Sequence, residues 1–191
     1  VAQTLVEMTR MASSAMTRAT TALLDADIHL ADSVIAADAE IDARRAELDL
    51  MSFDLLARQQ PVATDLRVIV TSMRMSADLE RMGDLARHVA KVARLRYPAS
   101  AVPAELRGTI LQMGQVAERI VEKAGSAIAA RDVVAAQQVE RDDDAMDDLH
   151  RELVSAVTGG PWEHGTEAAV DVVLLARYYE RFADHAVSVA H

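Results

Sequence analysis

The chain repeats itself. Residues 79–90, LERMGDLARHVA, return as YERFADHAVSVA at residues 179–190, with six of twelve positions identical. Glu80 and Glu180, Arg81 and Arg181, Asp84 and Asp184, and Ala86 and Ala186 stand 100 positions apart. A second series runs at a spacing of 105: Asp27 with Asp132, Val34 with Val139, Asp38 with Asp143, Asp42 with Asp147 and Leu48 with Leu153. Pro61 and Pro161 fall at 100 again. Ala-rich helices inflate chance identity, so the charged matches weigh most. A duplication of this length restricts the fold to two copies of one supersecondary unit.

That unit is a trio of amphipathic helices. Leu5, Met8, Ala12, Ala15, Ala19 and Ala22 recur at steps of three and four, predicting a helix from about Ala2 to Leu24. Asp27 is suited to cap a second helix, which carries Leu30, Val34, Ala37, Ile41, Leu48, Met51 and Leu55 to about Arg58. Pro61 closes it. A third runs from about Thr64 to Arg96 with the stripe Val68, Met75, Leu79, Met82, Ala86 and Val89. YPASAVPAE at 97–105 has two prolines and no helical period, so it separates two domains, 1–97 and 104–191. Beyond it, Leu106, Ile110, Met113, Ala117, Ile120 and Ala124 mark a fourth helix. Asp132 is the expected cap of a fifth, whose inward face is Val139, Met146, Leu149, Leu153 and Val157. TGGPWEHG at 158–165 is a loop, and a sixth helix begins near Thr166. The expected fold is all-α: two tandem, pseudo-symmetric three-helix bundles with antiparallel neighbours.

Composition narrows the function. Aromatic residues make up 3% of the chain and its formal net charge is −10, which excludes stacking on bases and attraction to phosphate backbones. Nucleic acid is therefore not an expected partner. The absence of cysteine excludes disulfides and thiolate metal sites, and a cytoplasmic protein fits best. No apolar run reaches the length of a membrane span. There is no phosphate-cradling glycine loop and no nucleophile elbow, and nothing in the chain looks catalytic.

The repeat preserves acids. Asp38/Asp42, Glu80/Asp84, Asp143/Asp147 and Glu180/Asp184 are each spaced i, i+4, which stacks two carboxylates on one helix face. Such a like-charge pair costs about 0.2–0.5 kcal/mol unless something positive lies between the two. Asp84 and Asp184 turn away from the apolar stripes, whereas Asp38 and Asp42 sit at the border of theirs. If the second and third helices of a half lie side by side, its four acids converge on the bundle surface. An all-oxygen set of that kind suits Mg, Ca, Mn or Fe. His150 follows Asp147 by three, His88 lies a turn beyond Asp84, and His185 adjoins Asp184, making these three candidate additional ligands. The plain alternative is a solvated face: Asp84 has Arg81 and Arg87 within reach, Asp184 has Arg181, and Glu180 has Arg177. Glu80 has no base among its i±3 and i±4 neighbours.

The stretches QPVATDLRVIV (60–70), ADLERMGDLARHVA (77–90), VIAADAEID (34–42), VERDDDAMD (139–147) and ARYYERFADHAVSVA (176–190) together resemble the PhoU family of phosphate-transport regulators, over essentially the whole chain. The resemblance implies two three-helix bundles and a cytoplasmic, non-enzymatic adaptor, a homodimer. Its partners would be the ATPase subunit of a phosphate ABC transporter and a phosphate-sensing histidine kinase, and it would help keep the phosphate-starvation response off. It also implies metal clusters in some members, with Fe, Mn, Mg or Zn as expected occupants. These would lie at Glu80/Asp84 and Glu180/Asp184, with Asp38/Asp42 and Asp143/Asp147 facing them. The family commonly continues this motif as Asp-His-x-x-Asn. Here the second copy has His185 but Ser188, and the first has Leu85 and then His88. The rival reading is a ferritin-like carboxylate-bundle metalloprotein, an Fe or Mn oxidase or store. It needs ligands inside a four-helix core, and only Asp147-x-x-His150 approximates its motif.

Overall fold

The structure is a computed structural model that describes residues 1–130 and 133–191, without the side chains of Gln59, Val133, Ala135 and Ala136. Six long helices account for nearly all of it: α1 (Ala2–Asp25), α2 (Ile28–Gln59), α3 (Ala63–Arg96), α4 (Arg107–Ala130), α5 (Val133–Thr158) and α6 (Gly165–Ala190). A single 3-10 turn, Ala104–Leu106, leads into α4. Among the described residues, no helix is long and apolar enough to cross a membrane.

The helix ends follow local chemistry. Asp27 caps α2, its carboxylate accepting a hydrogen bond from Leu30 N at 3.0 Å. Ala26 and Gln60 close α1 and α2 in the left-handed conformation, and Pro61 prevents continuation past Gln60. The cap expected at Asp132 lies outside the described residues.

Within each half the three helices pack on one another, α1 with α2 and α3, and α4 with α5 and α6. The halves then join along two seams, α1 on α4 and α3 on α6. Both seams are antiparallel. Thr20 meets Gly114 while Thr9 lies against Gly125. Asp78 meets His185 and Ser188 while Arg96 holds Asp171. Exchanging the halves maps each seam onto itself, as a twofold relation between duplicated units requires.

One apolar core runs through both halves, from Leu5 and Met8 on α1 to Phe182 and Val189 on α6. Gly114 is necessary at the α1–α4 seam, because a Cβ there would lie 2.9 Å from Thr20 Cγ2. Tyr179 is fully buried. Thr20 Oγ1 already donates to Met16 O at 2.8 Å, so the 2.6 Å contact has the Tyr179 hydroxyl donating to Thr20.

One part of the apolar stripe falls elsewhere than expected. Val68 is 54% exposed, and Ile69, Ser72 and Ser76 face inward in its place. α2 and α3 have 32 and 34 residues against 24 for α1, differences of roughly 12 and 15 Å at 1.5 Å per residue. The α2–α3 turn therefore projects past α1, and helical period there has no third helix to face.

Candidate metal centre and its protein counter-ions

In each half the four acids lie on its second and third helices, near enough for their charges to act on one of them. In the first half, Asp38 on α2 feels the charges of Asp42, Glu80 and Asp84. In the second, Asp143 on α5 feels Asp147, Asp144, Glu180 and Asp184. The expectation that Asp38 would border the core needs correction, because Asp38 is only 4% exposed. Gly83 explains how it gets in. A Cβ at that position would stand 2.8 Å from Ile41 Cδ1 and 2.9 Å from Asp38 Oδ1, so α3 approaches α2 through a missing side chain. Ala183 holds the equivalent place on α6. Gly83→Ala is expected to lose about 1 kcal/mol net: overpacking costs about 1–3 kcal/mol, while Ala gains about 1 kcal/mol in helix propensity. Urea unfolding against the parent protein reads this difference.

Burial is the main reason that the Asp38 carboxyl rises from 3.8 to about 6, and the Asp42, Asp84 and Glu80 charges push it the same way. The Arg87 guanidinium opposes them. Its Nη1 is 2.9 Å from Asp38 Oδ2, an ion pair without hydrogen-bond alignment, and its Nη2 donates to Asp84 Oδ1 at 2.7 Å. Arg81 donates to the other Asp84 oxygen at 3.3 Å. Glu80, which has no base nearby in sequence, receives Arg45 from α2 at 2.8 Å. Three of the four acids of the first half, Asp38, Glu80 and Asp84, are thus laced by arginines.

The second half is different. Asp143 also rises to about 6, by burial first and then by its four acidic neighbours, and among the described residues no base stands among these causes. Among the described residues none pairs with Asp143, and its Oδ1 is buried without a hydrogen bond. Glu180 is held by Arg177 at 2.5 Å, and Arg181 is a loose 3.9 Å from Asp184.

Donor chemistry alone would let a hard cation bind at Asp143, Asp147, Glu180 and Asp184. Among the described residues, no three His, Cys, Asp or Glu side chains are drawn together closely enough to hold one ion. The first half fits a metal poorly, since guanidinium groups already lie against Asp38, Asp84 and Glu80.

The three candidate histidines separate. His185 Nδ1 is 2.8 Å from Asp78 Oδ1, and Ser188 donates to Asp78 Oδ2 at 2.8 Å, so both residues serve the α3–α6 seam. His88 stacks on Tyr178 across that seam, with ring centroids 5.3 Å apart. Burial, with Arg87 and Lys91 nearby, holds its pKa below the ordinary histidine value. Only His150, half-buried one turn beyond Asp147, stays on the face of its acid set. Asp78, Arg45 and Gly83 are the residues that sequence reasoning passed over. Arg45 was detectable, since it follows Asp42 by three as His150 follows Asp147.

The PhoU domain model matches twice, at residues 5–93 and 110–191. The chain belongs to the PhoU family. Over 190 residues it is 49% identical to the phosphate-specific transport system accessory protein PhoU homolog 2 of Mycobacterium tuberculosis, covering all of this chain and 89% of that one. A PhoU homolog of Caulobacter vibrioides is 31% identical over 96% of this chain and 82% of its own length. The crystal structure of PhoU from Pseudomonas aeruginosa superimposes with a TM-score of 0.88 at 29% identity, over 98% of this chain and 90% of that one. The PhoU regulatory protein of Streptococcus pneumoniae, at 23% identity and a TM-score of 0.87, shares the fold over 98% of this chain and 88% of its own. PhoU members are regulatory accessory proteins, not enzymes. The ferritin-like oxidase lacks a core to work in, because the inward positions Leu79, Met82 and Ala86 and their counterparts Tyr179, Phe182 and Ala186 are apolar and buried.

Proposed function

We propose that this protein is a cytoplasmic adaptor that restrains phosphate uptake and the phosphate-starvation response. It would dock on the ATPase subunit of a phosphate ABC transporter and on a sensor histidine kinase. The observation that carries the reading is the pair of PhoU domains together with 49% identity, end to end, to an accessory protein of the phosphate-specific transport system. A helical surface without reaction chemistry suits such a role, since binding partners demands shape and charge but no nucleophile. Membrane contact is then indirect, and a homodimer would present two such surfaces.

Deleting the gene is expected to raise expression of phosphate-starvation genes in phosphate-rich medium, and the tagged protein should retain the transporter ATPase or the kinase from detergent-solubilised cells. Unchanged expression together with loss of both partners would end this reading.

Within the same proposal, the second acid set is the one suited to a divalent cation such as Mn, Fe or Mg, which would have to draw its side chains together, since no three of them stand close enough to hold an ion as they are. Asp143, Asp147, Glu180 and Asp184 supply oxygens, and His150 offers a nitrogen from the same helix face. A cation there would offset the repulsion between Asp143 and its four acidic neighbours and would pin α5 to α6. Its role would be structural, fixing the face that partners meet.

A further inference from the structure

We propose that Arg45 and Arg87 are the resident cations of the first acid set, so that this half of the protein takes no metal ion while its repeat partner remains open to one. The inference sharpens the cation reading above and shares its premise that the grouped acids need positive charge.

The two halves allow a comparison position by position. Asp38, Asp42, Glu80 and Asp84 are repeated as Asp143, Asp147, Glu180 and Asp184. Arg181 repeats Arg81 beside Asp184, and Arg177 holds Glu180, but the two arginines that cross between helices in the first half are not repeated. Arg87 is replaced by Val187 at the 100-residue spacing, and Arg45 by His150 at the 105-residue spacing. Both arginines lie against the acids and reach across from one helix to the other. Arg87 bridges helices, with one nitrogen 2.9 Å from Asp38 on α2 and another 2.7 Å from Asp84 on α3. Arg45 crosses in the opposite direction, from α2 to Glu80 on α3, at 2.8 Å.

The Arg87 side chain is 31% exposed and its Nε is fully enclosed, so the guanidinium is wedged between the helices instead of lying over them. Gly83, where the other half has Ala183, leaves room for Asp38 to sink toward it. A divalent ion approaching this set would have to displace two guanidinium groups or accept their repulsion at contact distance. In the second half Val187 brings no charge, and His150 is itself a usable ligand when neutral.

A planar guanidinium also differs from a metal in what it does. It cannot be removed by chelators, and its hold on the two helices is independent of metal supply. On this inference the first half is permanently locked, and metal dependence belongs to the second half alone.

The test uses the full-length chain carrying Asp143→Asn and Asp147→Asn, so that only the first set is intact. With Arg45 and Arg87 present, this protein should bind no Mn(II) by electron paramagnetic resonance, and its Tm should not respond to Mn(II). Adding Arg87→Val and Arg45→His, the residues of the second half, should raise Mn(II) affinity by about tenfold or more, as expected when positive charge is removed from contact distance. Asp38→Asn should abolish that gain. If the swapped protein fails to fold, Arg87→Gln in the same background replaces it and is judged the same way.

The inference is overturned if the arginine-containing protein binds Mn(II) in a manner lost on Asp38→Asn. It is also overturned if the swapped, cooperatively folded protein gains no Mn(II) binding. The otherwise unmodified chain separates the two ideas. Mn(II) binding by it that is lost in the Asp143→Asn/Asp147→Asn protein supports the second-half site, whatever the first half does.

Discussion

Phe182→Ala is expected to lower the stability of the whole molecule by about 3–5 kcal/mol, not merely that of the second bundle. The ring is fully buried on α6, which packs against α3 of the first half as well as α4 and α5 of its own. Removing it leaves a cavity in the core that both repeats share. Because one apolar core passes through both α1–α4 and α3–α6 seams, neither half keeps its inner face covered if the other opens. Unfolding should therefore be a single transition. Far-UV circular dichroism reports on all six helices, whereas fluorescence of Trp162, the one tryptophan, reports on the α5–α6 loop in the second half. The two curves should coincide in the parent protein and shift together in the variant. A biphasic dichroism curve, with only its fluorescence-linked step displaced, would show that the halves unfold separately.

Much of this architecture was legible beforehand because helix period and duplication are properties of residue spacing. The stripe from Leu5 to Ala22 is buried as expected, as is the one from Leu106 to Ala124. Val68 failed for an instructive reason. Period identifies the face a helix would bury but not where its neighbours end, and α1 stops short of that turn. The same boundary applies to the site. Spacing placed Glu80 above Asp84 and Asp38 above Asp42, and packing α2 on α3 brought the other three within electrostatic reach of Asp38. It did not reveal that Asp38 sinks into the interface, because that depends on Gly83 of another helix.

Partners across helices were the other blind spot. A search of i±3 and i±4 neighbours leaves Glu80 without a base, whereas the fold supplies Arg45 from 35 residues away. His185 and Ser188 depart from or follow the family motif as letters, but in space both hold Asp78, 107 and 110 residues distant. Their chemistry belongs to the join between repeats. Within residues 79–90 and 179–190, three of the six differences between the halves (Arg87/Val187, Leu85/His185 and His88/Ser188) fall where the acids are neutralised or one copy is fastened to the other.

Asp38 carries a measurable consequence of that arrangement, and its sign is opposite to that of an ordinary salt-bridged carboxylate. Its pKa is near 3.8 in the unfolded chain and about 6 when folded, because burial and three acidic neighbours outweigh Arg87. Below about pH 4 both states hold the proton, and the carboxyl does not penalise folding. Between pH 4 and 6 the folded state keeps a proton that the unfolded state has lost, so stability falls as pH rises. Above pH 6 the penalty is complete. A shift of about two units corresponds to about 3 kcal/mol at 1.36 kcal/mol per unit. Asp143, raised for the same leading reason, adds to the effect in the same direction. Asp38→Asn removes the titration while nearly preserving shape. Relative to the parent chain with chelator present, this variant should gain about 3 kcal/mol in urea-unfolding free energy between pH 4 and pH 7. Carbon-13 resonances of the Asp38 carboxyl should show a midpoint close to 6. A flat difference between the two proteins, or a midpoint near 4, would mean that the carboxylate is well solvated or well compensated where it lies. In an Arg87→Val protein the midpoint should climb further, since the one charge that resists the rise is gone.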